Sequence, residues 1–168
     1  MAQDREKRKR FIETAGDMLE DHGLSHMAGR VFGALQVCTP PHRSMDELAD
    51  ELRASKGSIS MATRMLIGLG VIEKVSIAGH RKHYYRVRSG VWMSLLVQRA
   101  AHIKEHKELA AVGLAALEGE PAAAKERLLE MMAFFEFVEE EIPYLEERWA
   151  RRYPAIRNAW VSKVAGET

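Results

Sequence analysis

Cysteine is nearly absent: Cys38 stands alone among 168 residues, so no intrachain disulfide can form. Long apolar runs are missing as well. No segment approaches the roughly 18 uninterrupted apolar residues of a bilayer-spanning helix, and the first ten residues, MAQDREKRKR, carry charge where a secretory signal carries an apolar core. A soluble, cytoplasmic chain is expected. Neither a glycine-rich phosphate loop nor a Gly-x-Ser-x-Gly elbow occurs, and the crowded Glu139, Glu140 and Glu141 suit a solvated helix face better than paired catalytic acids. No enzyme is expected, and nothing in the sequence asks for a cofactor or a metal. A net charge of only +1 excludes a general polybasic coat.

That near-neutral average hides a segregation. From Arg53 to Arg88 there are eight Lys or Arg against one acid, Glu73, a local charge of +7. From Glu118 to Glu147 there are ten Glu against Lys125 and Arg127, a local charge of −8. One region is suited to a polyanion and the other would repel it, so the two should do different work.

The apolar periodicity organises the chain. Phe11, Ile12, Ala15, Met18 and Leu19 define a first helix over 5–21, stopped at His22-Gly23, and a second helix runs from about Ser25 to Val37, ended by Thr39-Pro40-Pro41. Ser44 with Glu47 three residues on is a capping-box pattern that opens a third helix, whose apolar face is Met45, Leu48, Ala49 and Leu52. After Arg53-Ala54 comes SKGSISMATRML, with Ser55 as N-cap and Ile59, Ala62, Leu66 and Leu69 as the side expected to be buried. Its other side is Lys56, Gly57, Ser58, Ser60, Met61 and Arg64, where a surface helix would normally place stronger helix formers. Val71, Val75 and Ile77 alternate with polar residues, AGHRK supplies a turn and HYYRV resumes strand-type residues, which predicts a hairpin over 71–88. One long helix is expected from Val91 to Leu117. A last helix carries Leu128, Met131, Phe135, Val138, Ile142, Leu145 and Trp149 at alternating spacings of three and four, with Pro143 and Pro154 expected to bend or restart it.

Two short helices joined by a tight turn, the second small and basic on its outer face, then a basic hairpin, make a winged helix-turn-helix pattern. Small residues let the reading helix, 55–69, approach the floor of a DNA major groove, where Ser hydroxyls, Lys56 and Arg64 can meet bases or phosphates. Arg81 and Lys82 stand at the hairpin tip, where a wing meets the backbone or a narrow minor groove. The fold class is thus mainly α with a small β-hairpin wing: an N-terminal helix over 1–22, a winged helix-turn-helix domain over 23–90, and long helices over 91–168. The competing reading is a winged-helix module for protein contact or nonspecific DNA packaging, which would show little preference between operator and random duplex.

SMDELADELRASKGSISMATRMLIGLGVIEKVSIAGHRKHYYRV resembles the DNA-binding half of MarR-type transcriptional regulators, and GLSHMAGRVFGAL with SKGSIS and GHRKHYY is most similar to their GbsR-like branch. The resemblance covers about residues 20 to 90. It implies a regulator acting as an obligate homodimer on an inverted-repeat operator, a reading helix at Ser55 to Leu69, a wing arginine matched by Arg81, and dimerisation through terminal helices. Arg53 departs from the glycine often found in the helix-helix turn, and a left-handed arginine there carries about 1 to 2 kcal/mol of strain.

Dimerisation is therefore expected through Phe11 in the first helix and Leu128, Met131, Phe135, Val138, Ile142, Leu145 and Trp149 in the last. Aromatic residues gather in or next to this half, and Trp92, Phe134, Phe137 and Tyr144 could line an effector site, although packing alone explains aromatic burial. Aromatic rings flanked by glutamates suit a cation, and the resemblance, through the choline-type signals of that branch, implies a quaternary ammonium compound. Cys38 reads as a small buried hydrophobe in preference to a redox sensor. His102 and His106, four apart with Glu105 between them, read as packed histidines in preference to a zinc site, since no third ligand is evident.

Overall fold

The computed structural model describes residues 2–79, 82–100 and 102–166, and it divides into two compact units, 1–95 and 96–168. The first unit holds α1 (Ala2–Asp21), α2 (His26–Val37), β1 (Arg43–Ser44), α3 (Met45–Leu52), α4 (Lys56–Gly68), β2 (Ile72–Ser76) and β3 (His83–Val87), and α5 (Val91–Ala100) begins there and crosses the boundary. The second unit continues with α6 (Ile103–Ala116) and α7 (Ala122–Ala165). Among the described residues no helix is long and apolar enough to cross a membrane.

Helices α2, α3 and α4 each start where a serine side chain satisfies an orphan amide of the first turn. Ser25 Oγ accepts from the Ala28 amide, and Ser55 Oγ accepts from the Ser58 amide, both at 3.1 Å. At α3 the capping box is complete: Ser44 Oγ accepts from the Glu47 amide at 3.3 Å, and the Ser44 amide donates to Glu47 Oε2 at 2.6 Å. Ser44 belongs to β1 as well, a two-residue strand that the sequence reading did not foresee; it pairs antiparallel with Tyr84 and Tyr85 of β3, making a three-stranded sheet in the order β1-β3-β2.

The core is one cluster in which Ile12 of α1, Val31 and Leu35 of α2, Leu48 and Leu52 of α3, Ile59 and Leu66 of α4 and Ile72 of β2 are buried. The contact of α1 with α2 is close enough to require glycine. A Cβ on Gly29 would stand 2.6 Å from Gly16 Cα, and one on Gly33 would stand 2.9 Å from Ala15 Cβ. Arg30 ties this pair to the next turn, its Nε donating to Glu13 Oε1 and its Nη2 to the Leu52 carbonyl, each at 3.1 Å. Arg53, immediately after, is left-handed at φ 51° and ψ 48°, so the strain expected for arginine at that turn is present.

Three expectations are corrected. Leu69 is 38% exposed, because α4 ends at Gly68 and its buried side stops at Leu66. The expected single helix over 91–117 is two, α5 and α6, with α6 opening after His102; no glycine or proline marks the break. Neither Pro143 nor Pro154 restarts the last helix, since α7 runs 44 residues through both. Each proline removes one amide from the ladder, and the turns on either side are rich in Glu, Leu, Ala and Arg, which hold helix well.

Candidate nucleic-acid interface

α4 is anchored from one side only. Ile59 and Leu66 have no accessible surface, Ala62 is buried, and Thr63 is buried with its hydroxyl donating to the Ile59 carbonyl at 2.9 Å. The opposite side carries the residues expected to read DNA: Lys56, Gly57, Met61 and Arg64 are exposed, and Ser58 and Ser60 are half-buried. Met61 is 67% exposed, an apolar tip in the middle of a polar surface. Arg64 Nε donates to the Ser60 carbonyl at 3.3 Å, laying the guanidinium stem along this face. Ser55 is occupied as the N-cap, so its hydroxyl serves the helix before any ligand.

Gly57 is informative because nothing among the described residues needs it. A Cβ there would meet only Ser55 Oγ, at 3.8 Å, which is ordinary contact. A glycine in a helix gives up as much as about 1 kcal/mol relative to alanine, and here the thin surface it leaves points outward.

The wing stands beside this face. Its two strands pair in register from Ile72 with Val87 to Ser76 with His83, and Gly79 at the bend has φ +82°. Arg81, expected at the wing tip, lies outside the described residues. Lys82 is described, and it does not reach out alone. Lys82 Nζ donates to Asp46 Oδ2 at 2.8 Å while Lys56 Nζ lies 2.6 Å from Asp46 Oδ1, so the first turn of α4 and the turn end of the wing meet on one carboxylate of α3. The hydrogen bond from Lys56, followed by that from Lys82, holds the Asp46 carboxyl down at about 2, and the same contact raises Lys82. Glu73, the single acid of the basic segment, is engaged by Arg86 at 2.6 Å. Asp46 is the residue sequence reasoning missed: its partners lie 10 and 36 positions away, and no local pattern announces such a contact.

The second unit gathers some expected residues and separates others. Leu128 packs against α6 at Gly113, Phe135 stacks on His106 with ring centroids 4.5 Å apart, and Lys107 donates to Glu139 at 2.8 Å, so the first half of the heptad face is used within the chain. Met131, Val138 and Ile142 are half-buried along the same helix. Beyond Pro143 only Trp149 and Ile156 are half-buried, and every other residue to Ala165 is exposed, Leu145 included. Trp149, Tyr153, Ile156, Trp160, Val161 and Val164 line an open apolar groove of about 690 Å³ on that stretch. Phe11, the α1 contribution to the expected dimer contact, is exposed. Of the aromatic residues considered for an effector, Phe134, Phe137 and Tyr144 are exposed on one stripe of α7, while Trp92 falls in the first unit, packed edge-to-face on Phe32 with ring centroids 6.1 Å apart.

His102 contacts Glu105 at 3.2 Å and His106 Nδ1 donates to the His102 carbonyl at 2.7 Å; among the described residues no three His, Cys, Asp or Glu converge as a metal site would require. Cys38 is buried with Sγ donating to the Leu35 carbonyl at 3.4 Å, and burial pushes its thiol up, away from the reactive thiolate.

Comparison with known proteins agrees with this architecture. Residues 90–152 match the family described as MmpR5-like MarR family transcriptional regulators. The HTH-type transcriptional regulator MmpR5 of Mycobacterium tuberculosis is 37% identical over 142 residues, which is 84% of this chain and 86% of that one. A crystal structure of a transcriptional regulator superposes with a TM-score of 0.72 at 36% identity, covering 87% of this chain and 99% of its own. The branch these relatives point to is MmpR5-like, and neither carries the GbsR-like description suggested by residues 20 to 90.

Proposed function

The chain belongs to the MarR family of transcriptional regulators, and on that premise we propose that it works in the cytoplasm as a homodimer that binds a specific inverted-repeat operator, with α4 in the major groove and the wing on the flanking backbone. The observation that carries this reading is the outer face of α4. Ile59, Ala62 and Leu66 are spent on the core, while Gly57 leaves a thin first turn that nothing among the described residues requires. Ser58, Ser60 and Arg64 are suited to base edges, and Lys56 and Lys82 to phosphates.

The dimer is supported by α7. From 143 to 165 an apolar face over about six turns is left largely exposed among the described residues, and burying each large side chain is worth about 1.5 to 3 kcal/mol. A second copy covers it symmetrically. Two reading helices then address half-sites about one helical turn apart.

Footprinting the protein on its own upstream region against random duplex tests the reading. A protected inverted repeat with a specificity ratio of about 10³ or more is expected. Ser58→Ala and Arg64→Ala should change which site is preferred, at about 1 to 3 kcal/mol if a base contact is lost, whereas Arg81→Ala should weaken all duplexes alike and lower the salt slope by about one. Equal binding to every duplex would instead favour a packaging module.

An effector is a second element of the proposal, supported by the exposed stripe of Phe134, Phe137 and Tyr144 with Glu141 on the same helical face. Rings and a carboxylate together suit a quaternary ammonium cation. Titration with choline and glycine betaine, read by tryptophan fluorescence and operator affinity, tests it; no response at millimolar ligand removes this class.

A further inference from the structure

Lys56 and Lys82 come from different elements, yet both ammonium groups lie within 2.8 Å of the Asp46 carboxylate. The three members are not equally mobile. Asp46 sits in the first turn of α3, where the positive end of the helix favours an anion, and that turn is already fixed by the reciprocal bonds of Ser44 and Glu47. Its carboxylate is thus not needed as a cap. The lysines are 70% and 63% exposed on four-carbon stems and can leave without disturbing the backbone. In geometry and charge Asp46 stands where a backbone phosphate would stand.

We propose that Asp46 is an intramolecular counter-ion that occupies Lys56 and Lys82 in the free protein and that DNA phosphate must displace, so that it holds down affinity for duplexes in general. This rests on the DNA-binding reading above and deepens it. An exposed ion pair of this kind is weak and screened by salt, so a polyanion can open it. The site then presents two cations and one anion to the backbone. When the lysines move to phosphates, the stranded carboxylate repels those phosphates and recaptures a cation, which offsets part of the counterion release that drives binding.

Asp46→Asn keeps the side-chain shape, removes the charge and leaves the Ser44–Glu47 cap in place. Its affinity for random duplex near 0.1 M salt is expected to tighten about three- to tenfold, with the log-log salt dependence steeper by about one unit. In a Lys56→Gln, Lys82→Gln background the same change should have a clearly smaller effect on the affinity, which separates a counter-ion of these two lysines from a general change in net charge; an effect as large as in the wild-type background overturns the proposal. Circular dichroism melts confirm that each variant is folded. Unchanged affinity and slope in Asp46→Asn, or weaker binding, overturns the proposal, the latter by showing that Asp46 positions the lysines for DNA. Wild-type protein that binds no duplex at all defeats the DNA-binding reading itself, a result distinct from wild-type binding that Asp46→Asn leaves unaltered.

Discussion

Gly113 of α6 faces Leu128 of α7 so closely that a Cβ on the glycine would stand 2.8 Å from Leu128 Cδ1. The neighbour is the far end of a flexible side chain, and it can turn away. At Gly29 of α2 the obstacle is the backbone of Ala15 and Gly16, which cannot.

These two glycines should therefore respond unequally to the same substitution. Gly113→Ala is expected to change stability by less than about 1 kcal/mol, the helix-propensity gain offsetting the shift of Leu128. Gly29→Ala should destabilise by about 1 to 3 kcal/mol because α1 must move off α2. Urea unfolding of both variants checks the contrast, and a Gly29→Ala protein as stable as wild type would refute it.

Arg53→Gly should stabilise the first unit. Relief of about 1 to 2 kcal/mol of left-handed strain is set against roughly 0.5 to 1 kcal/mol of extra chain entropy in the unfolded state, leaving a net gain of at most about 1.5 kcal/mol and centred at about 0.75 kcal/mol. The amide of residue 53, which donates to the carbonyls of Ala49 and Asp50, is kept. A lower midpoint in urea would show that the arginine side chain contributes more than its backbone loses.

Asp46 makes acid stability a readout of the lysine contact. Its folded pKa, lowered to about 2, lies below the ordinary carboxylate value, so the stability it contributes is fully present above about pH 4. That contribution is lost as pH falls from about 4 through about 2. Carbon-detected NMR of the carboxyl should give a midpoint near 2, returning toward 4 in a Lys56→Met, Lys82→Met variant; a normal midpoint in the wild type would contradict the contact.

Dimerisation is best challenged beyond Pro143. Phe135 stacks on His106 of its own chain, so a charge there would disturb α6 against α7 as well. Trp149→Glu with Trp160→Glu alters the uncovered groove, and in sedimentation the variant is expected to be a monomer whose operator affinity has fallen at least tenfold. A dimer of unchanged affinity would place the interface elsewhere.

The parts of the fold legible in the sequence are those written in local chemistry. Ser44 with Glu47, Ser55 ahead of an apolar stripe and Gly79 between two β-rich runs each specify a cap or a turn within a few residues. What was not legible depends on distant partners. β1 is two residues long and exists because Tyr84 and Tyr85 lie opposite it. The break before α6 interrupts an apolar periodicity that continues through it, and only the burial of Ile103 and Ala110 fixes where the new helix packs. At the candidate interface the small, basic outer face of α4 was legible in the sequence, whereas Asp46, which engages Lys56 of that helix and Lys82 of the wing, belongs by sequence to the helix before it.

Mechanically, α7 is a rod of 44 residues, about 66 Å long at 1.5 Å per residue, with two compliant joints. At Pro143 and Pro154 the ladder lacks a rung, so flexing concentrates at those two points and the spans between them stay stiff. A bend of about 5° at Pro143 would swing the 22 residues beyond it, about 33 Å of helix, through roughly 3 Å at the tip. In a dimer held by that far span, the joint at Pro143 is the natural place for the spacing of two half-sites to be set.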